Sequence, residues 1–274
     1  MIKRTFVIFL SIIVIYYIIL QFYSFSACQS QEDENFYIAE NYLYSNTNYQ
    51  NVIVGSSMSR RINFDSINEF YNLSFGGQSI YDGFEIILRS NKIPKKIYIE
   101  INTLNRFENN EFLDRLFNPF LYNIKDEINI LRVDKKPCPI IVNQIVKGIQ
   151  ASKKRKINTI NNDSTLKNAM LNIQKEKYAS TLSKNELEKI NNKIESYILK
   201  LKKKGIEIVF FELPINYKLS NTNKAIQIRK FVKQNFSETS FVELAIEDFQ
   251  TTDGIHLGKE ESQKYLDLFT KAIK

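Results

Sequence analysis

The sequence predicts an α/β fold, a three-layer α/β/α sandwich built on a parallel sheet and preceded by one N-terminal transmembrane helix. Three observations predict it. Short apolar runs alternate with longer stretches of helical period, most of the runs end at glycine or polar residues, and one uninterrupted apolar stretch precedes them all. Parallel strands need crossover connections, which helices supply, so the alternation implies parallel pairing with helices on both faces of the sheet.

The elements follow in order. No charged residue occurs from Thr5 to Gln31, and residues 6–23 are almost wholly Ile, Val, Leu, Phe and Tyr, while roughly 20 apolar residues suffice to cross a bilayer as a helix. Lys3 and Arg4 precede this stretch and Glu32, Asp33 and Glu34 follow it, which holds the N-terminal end in the cytoplasm and sends the body outward. The apolar region of a cleavable signal is shorter, about 7 to 15 residues, so residues 1–30 read as an uncleaved anchor and 31–274 as the extracytoplasmic domain. An alternative stays open, because Phe25-Ser26-Ala27-Cys28 is similar to a loose lipoprotein processing site at which Cys28 would carry lipid. Cys28 and Cys138 either pair in an oxidising compartment or remain free thiols.

Asn51-Val52-Ile53-Val54 reads as a buried strand ending at Gly55, and Tyr71-Asn72-Leu73-Ser74-Phe75 as a second ending at Gly76-Gly77. A helix follows over 80–90, a third strand over 96–101, a fourth over 206–211 and a fifth at Phe241-Val242-Glu243-Leu244. Gly258 breaks the chain before a closing helix over 259–273. Between 103 and 184 the strand rhythm disappears, and this insertion is expected to lie over the carboxyl ends of the strands as a cap. Its Phe112, Leu116, Phe117, Phe120, Leu121 and Tyr122 either line a pocket or bury the insertion against the main domain.

Composition excludes several classes. Of 274 residues, 43% are hydrophobic and 25% charged, which suits neither a disordered chain nor a multi-span membrane protein. The net charge is +8 and the pI about 9.2, but the basic residues are scattered apart from Lys153-Lys154-Arg155-Lys156 and residues 200–204, which read as solvated faces. With no zinc-finger, helix-turn-helix or RNA-recognition signature beside them, no nucleic-acid partner is expected. One histidine and two distant cysteines give no metal-ligand set, so neither metal nor cofactor is expected.

Two short segments carry the chemistry. Gly55-Ser56-Ser57-Met58-Ser59 places a hydroxyl on the turn leaving a strand, and Asp253-Gly254-Ile255-His256 offers an imidazole with a carboxylate three residues before it. These are the parts that activate a serine nucleophile: Ser57 attacks, His256 takes its proton, and Asp253 holds the imidazole. His256 is the only histidine, hence the one side chain whose unperturbed proton affinity suits a base near neutral pH. In doubly wound sheets ligands sit beyond the carboxyl ends of the strands, and Ser57, Gly77, Asn102 and His256 all follow predicted strand ends. Each residue also has an ordinary role open to it: Ser57 as a helix N-cap, Gly76-Gly77 and Asp253-Gly254 as turns, Arg60 and Arg61 as exposed helix residues rather than anion ligands.

In these segments the sequence resembles the SGNH hydrolases, also called GDSL esterases and lipases. The segment 55–59 is similar to the family's first block with Ser57 at the nucleophile place. Asn72-Leu73-Ser74-Phe75-Gly76-Gly77-Gln78 is similar to the second, with Gly77 giving an oxyanion-hole amide, and Asp253 to His256 is similar to the last. The resemblance covers residues 50–102 and 205–274 and implies a flavodoxin-like sandwich with Ser57, Asp253 and His256 catalytic and Ser57, Gly77 and Asn102 forming the oxyanion hole. The chain departs from the family at Ser56, where an aspartate is usual, and at Glu100-Ile101-Asn102-Thr103, where a Gly-x-Asn-Asp run is usual, so Asn102 is expected to lack support for its aim. A conventional α/β-hydrolase elbow is disfavoured because Ser59 stands where glycine is needed.

With the external anchor, the resemblance implies a serine esterase or O-acyltransferase acting on acyl, chiefly acetyl, esters of cell-envelope glycan. Its expected partners are an acylated carbohydrate or envelope polymer, the membrane through the N-terminal helix, and a membrane acyltransferase. The alternative class is an inactive SGNH-like module that binds glycan or scaffolds such a complex.

Overall fold

The computed structural model describes residues 2–22, 30–137, 140–142, 145, 164–244 and 249–274. Cys28, Cys138 and the basic run 153–156 lie outside them. The structure divides into one unit formed by residues 1–44 and 116–160 and a second formed by 45–115 and 161–274.

The second unit carries the sheet. Val, Ile and aromatic residues fill five strands, β1 (Asn51–Gly55), β2 (Phe70–Ser74), β3 (Lys96–Glu100), β4 (Glu207–Phe211) and β5 (Ser240–Val242). All neighbours pair in parallel, in the order β2-β1-β3-β4-β5. The strands agree with the sequence reading to within one residue at each end, except that the fifth stops at Val242 rather than Leu244. In this order the chain reverses its direction of travel at β1 and β3, the place where a crevice opens beyond the carboxyl ends.

The helices, in chain order, are α1 (Ile2–Phe22), α2 (Gln31–Tyr44), α3 (Ser57–Arg60), α4 (Ile80–Arg89), α5 (Asn110–Leu116), α6 (Pro119–Glu127), α7 (Ser164–Ala179), α8 (Lys184–Lys203), α9 (Tyr217–Ser220), α10 (Asn223–Asn235) and α11 (Lys259–Ala272). The period-2 alternation of each strand feeds two helical layers. On one face Ile53, Tyr98, Val209 and Phe211 share a core with α11, whose Phe269 ring lies 5.5 Å from Tyr98 and 5.6 Å from Phe211. On the other face α4 lies on β1, with Phe84 packed 5.2 Å from Tyr197 of α8 and Phe210 packed 5.5 Å from Phe236 after α10. Ser79 and Asp82 form a capping box that fixes the start of α4.

Among the described residues between β3 and β4 there are helices and no strand. Phe112 of α5 is buried against Phe75, ring centroids 5.4 Å apart, so this aromatic serves the core. In the first unit, α1 is an apolar helix with mean hydropathy 2.0 over Ile2–Leu20, long enough to cross a membrane. There the buried Glu40 of α2 receives the Lys125 ammonium at 2.6 Å and the Val133 N–H at 2.7 Å, so its charge is paired as burial requires.

Gly83 sets how closely α4 approaches the sheet, since a Cβ there would lie 2.5 Å from Val54 Cγ1. Val54 is fully buried, and its β-branched side chain is restricted at χ1. Gly83→Ala should gain up to about 1 kcal/mol of helix propensity and lose more to overpacking, about 1 to 3 kcal/mol. The expected result is a thermal midpoint lowered by a few degrees in calorimetry; a raised midpoint would show that α4 can stand off the sheet.

Candidate active site

The site is assembled at the carboxyl edge of β1, β2 and β3. Gly55 ends β1, and Ser56 takes an extended conformation and N-caps α3, its hydroxyl accepting the Met58 N–H at 3.2 Å. Ser56 therefore does the capping, and Ser57, the first helical residue, has its hydroxyl free for another partner. That partner is His256, whose Nε2 lies 2.9 Å from Ser57 Oγ across 199 positions of sequence.

The histidine comes from a tight turn. Gly254 has φ +101, a left-handed conformation that side chains resist, and a Cβ on it would meet Leu171 of α7 at 2.9 Å. Asp253 Oδ1 accepts the N–H groups of Ile255 at 3.2 Å and His256 at 2.9 Å, and its Oδ2 lies 2.6 Å from His256 Nδ1. A carboxylate only accepts, so in the neutral ring the proton sits on Nδ1 and Nε2 is left to accept from the Ser57 hydroxyl. Both side chains are sheltered, His256 12% and Asp253 17% exposed. Burial pushes the Asp253 carboxyl up, but the hydrogen bonds from the His256 ring and backbone, its charge and the Ile255 N–H outweigh it and hold the group at about 2.

The surroundings fix this line. Asn216 N–H donates to Gly254 O at 2.9 Å, and Arg61, which caps the C-terminus of α3, donates to Thr252 Oγ1 at 3.3 Å. Arg61 is thus tied to the histidine turn. From β2, the Asn72 carboxamide donates to Ser59 O and Ile62 O, both at 2.9 Å, gripping the carbonyl end of α3.

Gly77 lies in the turn after β2 with φ 72, the left-handed region that glycine adopts without strain. Asn102 follows β3, and the expectation that it lacks support is corrected by a residue 111 positions away. Its Nδ2 donates to Leu213 O at 2.9 Å and its Oδ1 accepts Leu213 N–H at 2.8 Å, a two-bond clamp that fixes the amide plane. One Nδ2 proton remains for another acceptor. The sequence hinted at neither Asn72 nor Leu213 as supports, because the Asn72 carboxamide meets α3 only in the folded chain and Leu213 acts through its backbone.

Beside Leu213, at the ends of β4 and β5, a cleft of about 450 Å³ is lined by Leu213, Pro214, Ile215, Tyr217, Phe241 and other residues. In its wall the Arg229 guanidinium is held by both Glu212 oxygens, at 2.6 and 2.7 Å, so this cation is already paired.

No protein-family model matches the sequence, and no curated protein matches it. Among solved structures the chain is similar to a crystal structure of a "putative acylhydrolase" from Bacteroides fragilis, at 12% identity over 90% of this chain and 98% of that one, with a TM-score of 0.43. The chemistry of the site rests on its own atoms.

The depressed Asp253 carboxyl carries a sign for stability. A group held below its ordinary value of 3.8 in the folded state stabilises the fold above that value and loses its contribution as pH falls toward about 2. The gap in thermal midpoint between the wild type and Asp253→Asn should therefore be full at about pH 5 and shrink toward about pH 2. A gap independent of pH would mean that the contacts of Asp253 do not depend on its charge.

Proposed function

We propose that the chain is a membrane-anchored serine ester hydrolase or O-acyltransferase of SGNH type, acting outside the cytoplasm on acyl esters of cell-envelope glycan. The observation that carries the reading is the continuous line from Ser57 Oγ to His256 Nε2, 2.9 Å, and from His256 Nδ1 to Asp253 Oδ2, 2.6 Å. Separations of this size are the geometric condition for a serine made nucleophilic by an oriented base.

The steps follow from the geometry. Ser57 Oγ bonds to the ester carbonyl carbon while its proton passes to His256 Nε2, and the carboxylate of Asp253 stabilises the imidazolium. The carbonyl oxygen becomes an oxyanion that the N–H groups of Ser57 and Gly77 would bind, with the remaining Nδ2 proton of Asn102 as third donor. The His256 proton then goes to the departing alcohol oxygen and leaves an acyl-serine. Water or a sugar hydroxyl, deprotonated by the same ring, attacks that ester, and the ring returns the proton to Ser57 Oγ as its bond to the acyl carbon breaks; the first acceptor gives an esterase and the second a transferase.

The envelope setting is supported by α1, with mean hydropathy 2.0, and by Lys3 and Arg4 before its apolar stretch with Glu32, Asp33 and Glu34 after it. In the cleft near Leu213 the lining cations Arg229 and Lys233 are already paired with Glu212 and Glu243, so an uncharged sugar suits it better than an anion.

The test uses the full-length protein in detergent, offered p-nitrophenyl acetate and a fluorophosphonate probe. The wild type should be labelled at Ser57 and should hydrolyse the ester, Ser57→Ala should take no label, and His256→Ala should lose about 10³-fold or more in labelling rate. A wild type that takes no label, or labelling that survives Ser57→Ala, would replace the enzyme by a glycan-binding or scaffold module.

A further inference from the structure

Glu100 is an acidic residue at the end of β3, directly after the apolar run Ile97-Tyr98-Ile99, it is completely buried, and the steps above do not use it. Its carboxylate lies under the nucleophile turn and accepts four hydrogen bonds from two residues. Oε2 receives the Ser56 N–H at 2.8 Å, the Ser59 N–H at 3.3 Å and the Ser59 hydroxyl at 2.6 Å, and Oε1 receives the Ser56 hydroxyl at 2.7 Å. Gly55 makes the approach possible, because a Cβ there would lie 2.5 Å from Ser59 Oγ and 2.6 Å from Glu100 Oε2.

We infer that Glu100 is the positioning residue of the nucleophile turn, the group that holds Ser57 in line with His256 and keeps the Ser57 N–H available to the substrate. The inference rests on the reading of Ser57 as nucleophile. The start of a helix exposes N–H groups that lack intrahelical acceptors. Here Glu100 takes those of Ser56 and Ser59, and the Ser56 hydroxyl, itself held by Glu100, takes that of Met58. Of the four N–H groups from Ser56 to Ser59, that of Ser57 is the one with no acceptor among the described residues, and it belongs to the residue whose oxygen attacks. An oxyanion donor has to be aimed in advance, and the carboxylate on the neighbouring strand fixes both sides of this one.

The same contacts explain why residue 56 is a serine. A hydroxyl can donate to Glu100 while accepting from Met58, whereas an aspartate would cap α3 equally well but set a second carboxylate at hydrogen-bond distance from Glu100. Like charges that close disfavour one another strongly in a buried site. Ser56 and Glu100 are therefore a matched pair, with one buried negative charge and four donors around it.

Two sets of variants of the full-length protein test the inference. Glu100→Met keeps length and removes every acceptor; it should slow fluorophosphonate labelling of Ser57 by about 100-fold, lower kcat while KM stays within about 2-fold, and speed amide hydrogen exchange over residues 55–62 while the other strands keep their protection. Ser56→Asp and Ser56→Asn have the same shape and capping ability and differ in charge. Ser56→Asp should be labelled about 10-fold more slowly than Ser56→Asn, and the two should agree within about 2-fold when combined with Glu100→Gln.

Unchanged exchange over 55–62 in Glu100→Met, or an equal response of the two Ser56 variants in both backgrounds, would overturn the inference. Should Glu100→Met fail to fold, the Ser56 pair decides. Should the wild type take no label at all, the nucleophile reading falls, while exchange over 55–62 and the relative stabilities of the Ser56 variants still decide whether Glu100 holds the turn.

Discussion

The parallel registration of β1 between β2 and β3 is the constraint on which the site depends. Gly55 is level with Ser74 on one side, and Val54 is level with Ile99 on the other, so the turns carrying Ser57, Gly77 and Asn102 leave the sheet at one height. Slippage is penalised because both faces of β1 are buried, and a one-residue shift would exchange the side chains packed against the two helical layers. Short loops then only have to direct side chains sideways along an edge that the core has already levelled.

At that edge the structure solves a solvation problem as well as a geometric one. Polar groups taken out of water must find partners, and each unpaired one costs on the order of 1 to 3 kcal/mol. The partners come from neighbouring elements: Glu100 of β3 for the amides of the first turn of α3, Asn72 of β2 for its carbonyls, and Leu213 after β4 for both ends of the Asn102 carboxamide. Each bond that satisfies a buried group also fixes the direction of a side chain or amide at the site. The rigidity needed for preorganisation thus follows from satisfying the backbone.

This explains which parts could be read from the residues. Strands such as Asn51 to Gly55 and helices such as 80–89 declare themselves through apolar period and glycine breaks, and Ser57, Asp253 and His256 stand out by residue type in segments placed after strand ends, each with an ordinary role open beside the catalytic one. The cross-strand supports were hidden. Glu100 looks like a lost glycine when aligned by position, and its value appears only once β3 lies beside β1; a charged residue at the end of a buried strand was the one available signal. Leu213 gives no signal at all, since its contribution is made by its backbone. The region 103–184 offered no period to read, and α7 reaches the Gly254 turn through Leu171, a contact with no local trace in the sequence.

The central claim is that folding joins the Ser57 hydroxyl, the His256 ring and the Asp253 carboxylate in one line. The most direct measurement is the imidazole NMR spectrum of the isotope-labelled full-length protein in detergent, in which every imidazole signal belongs to His256 because the chain has no other histidine. The account predicts a slowly exchanging Nδ1 proton shifted far downfield by the carboxylate and lost in Asp253→Asn, together with an Nε2 resonance that moves in Ser57→Ala. A ring whose protons exchange freely with water, and whose signals ignore both substitutions, would contradict it.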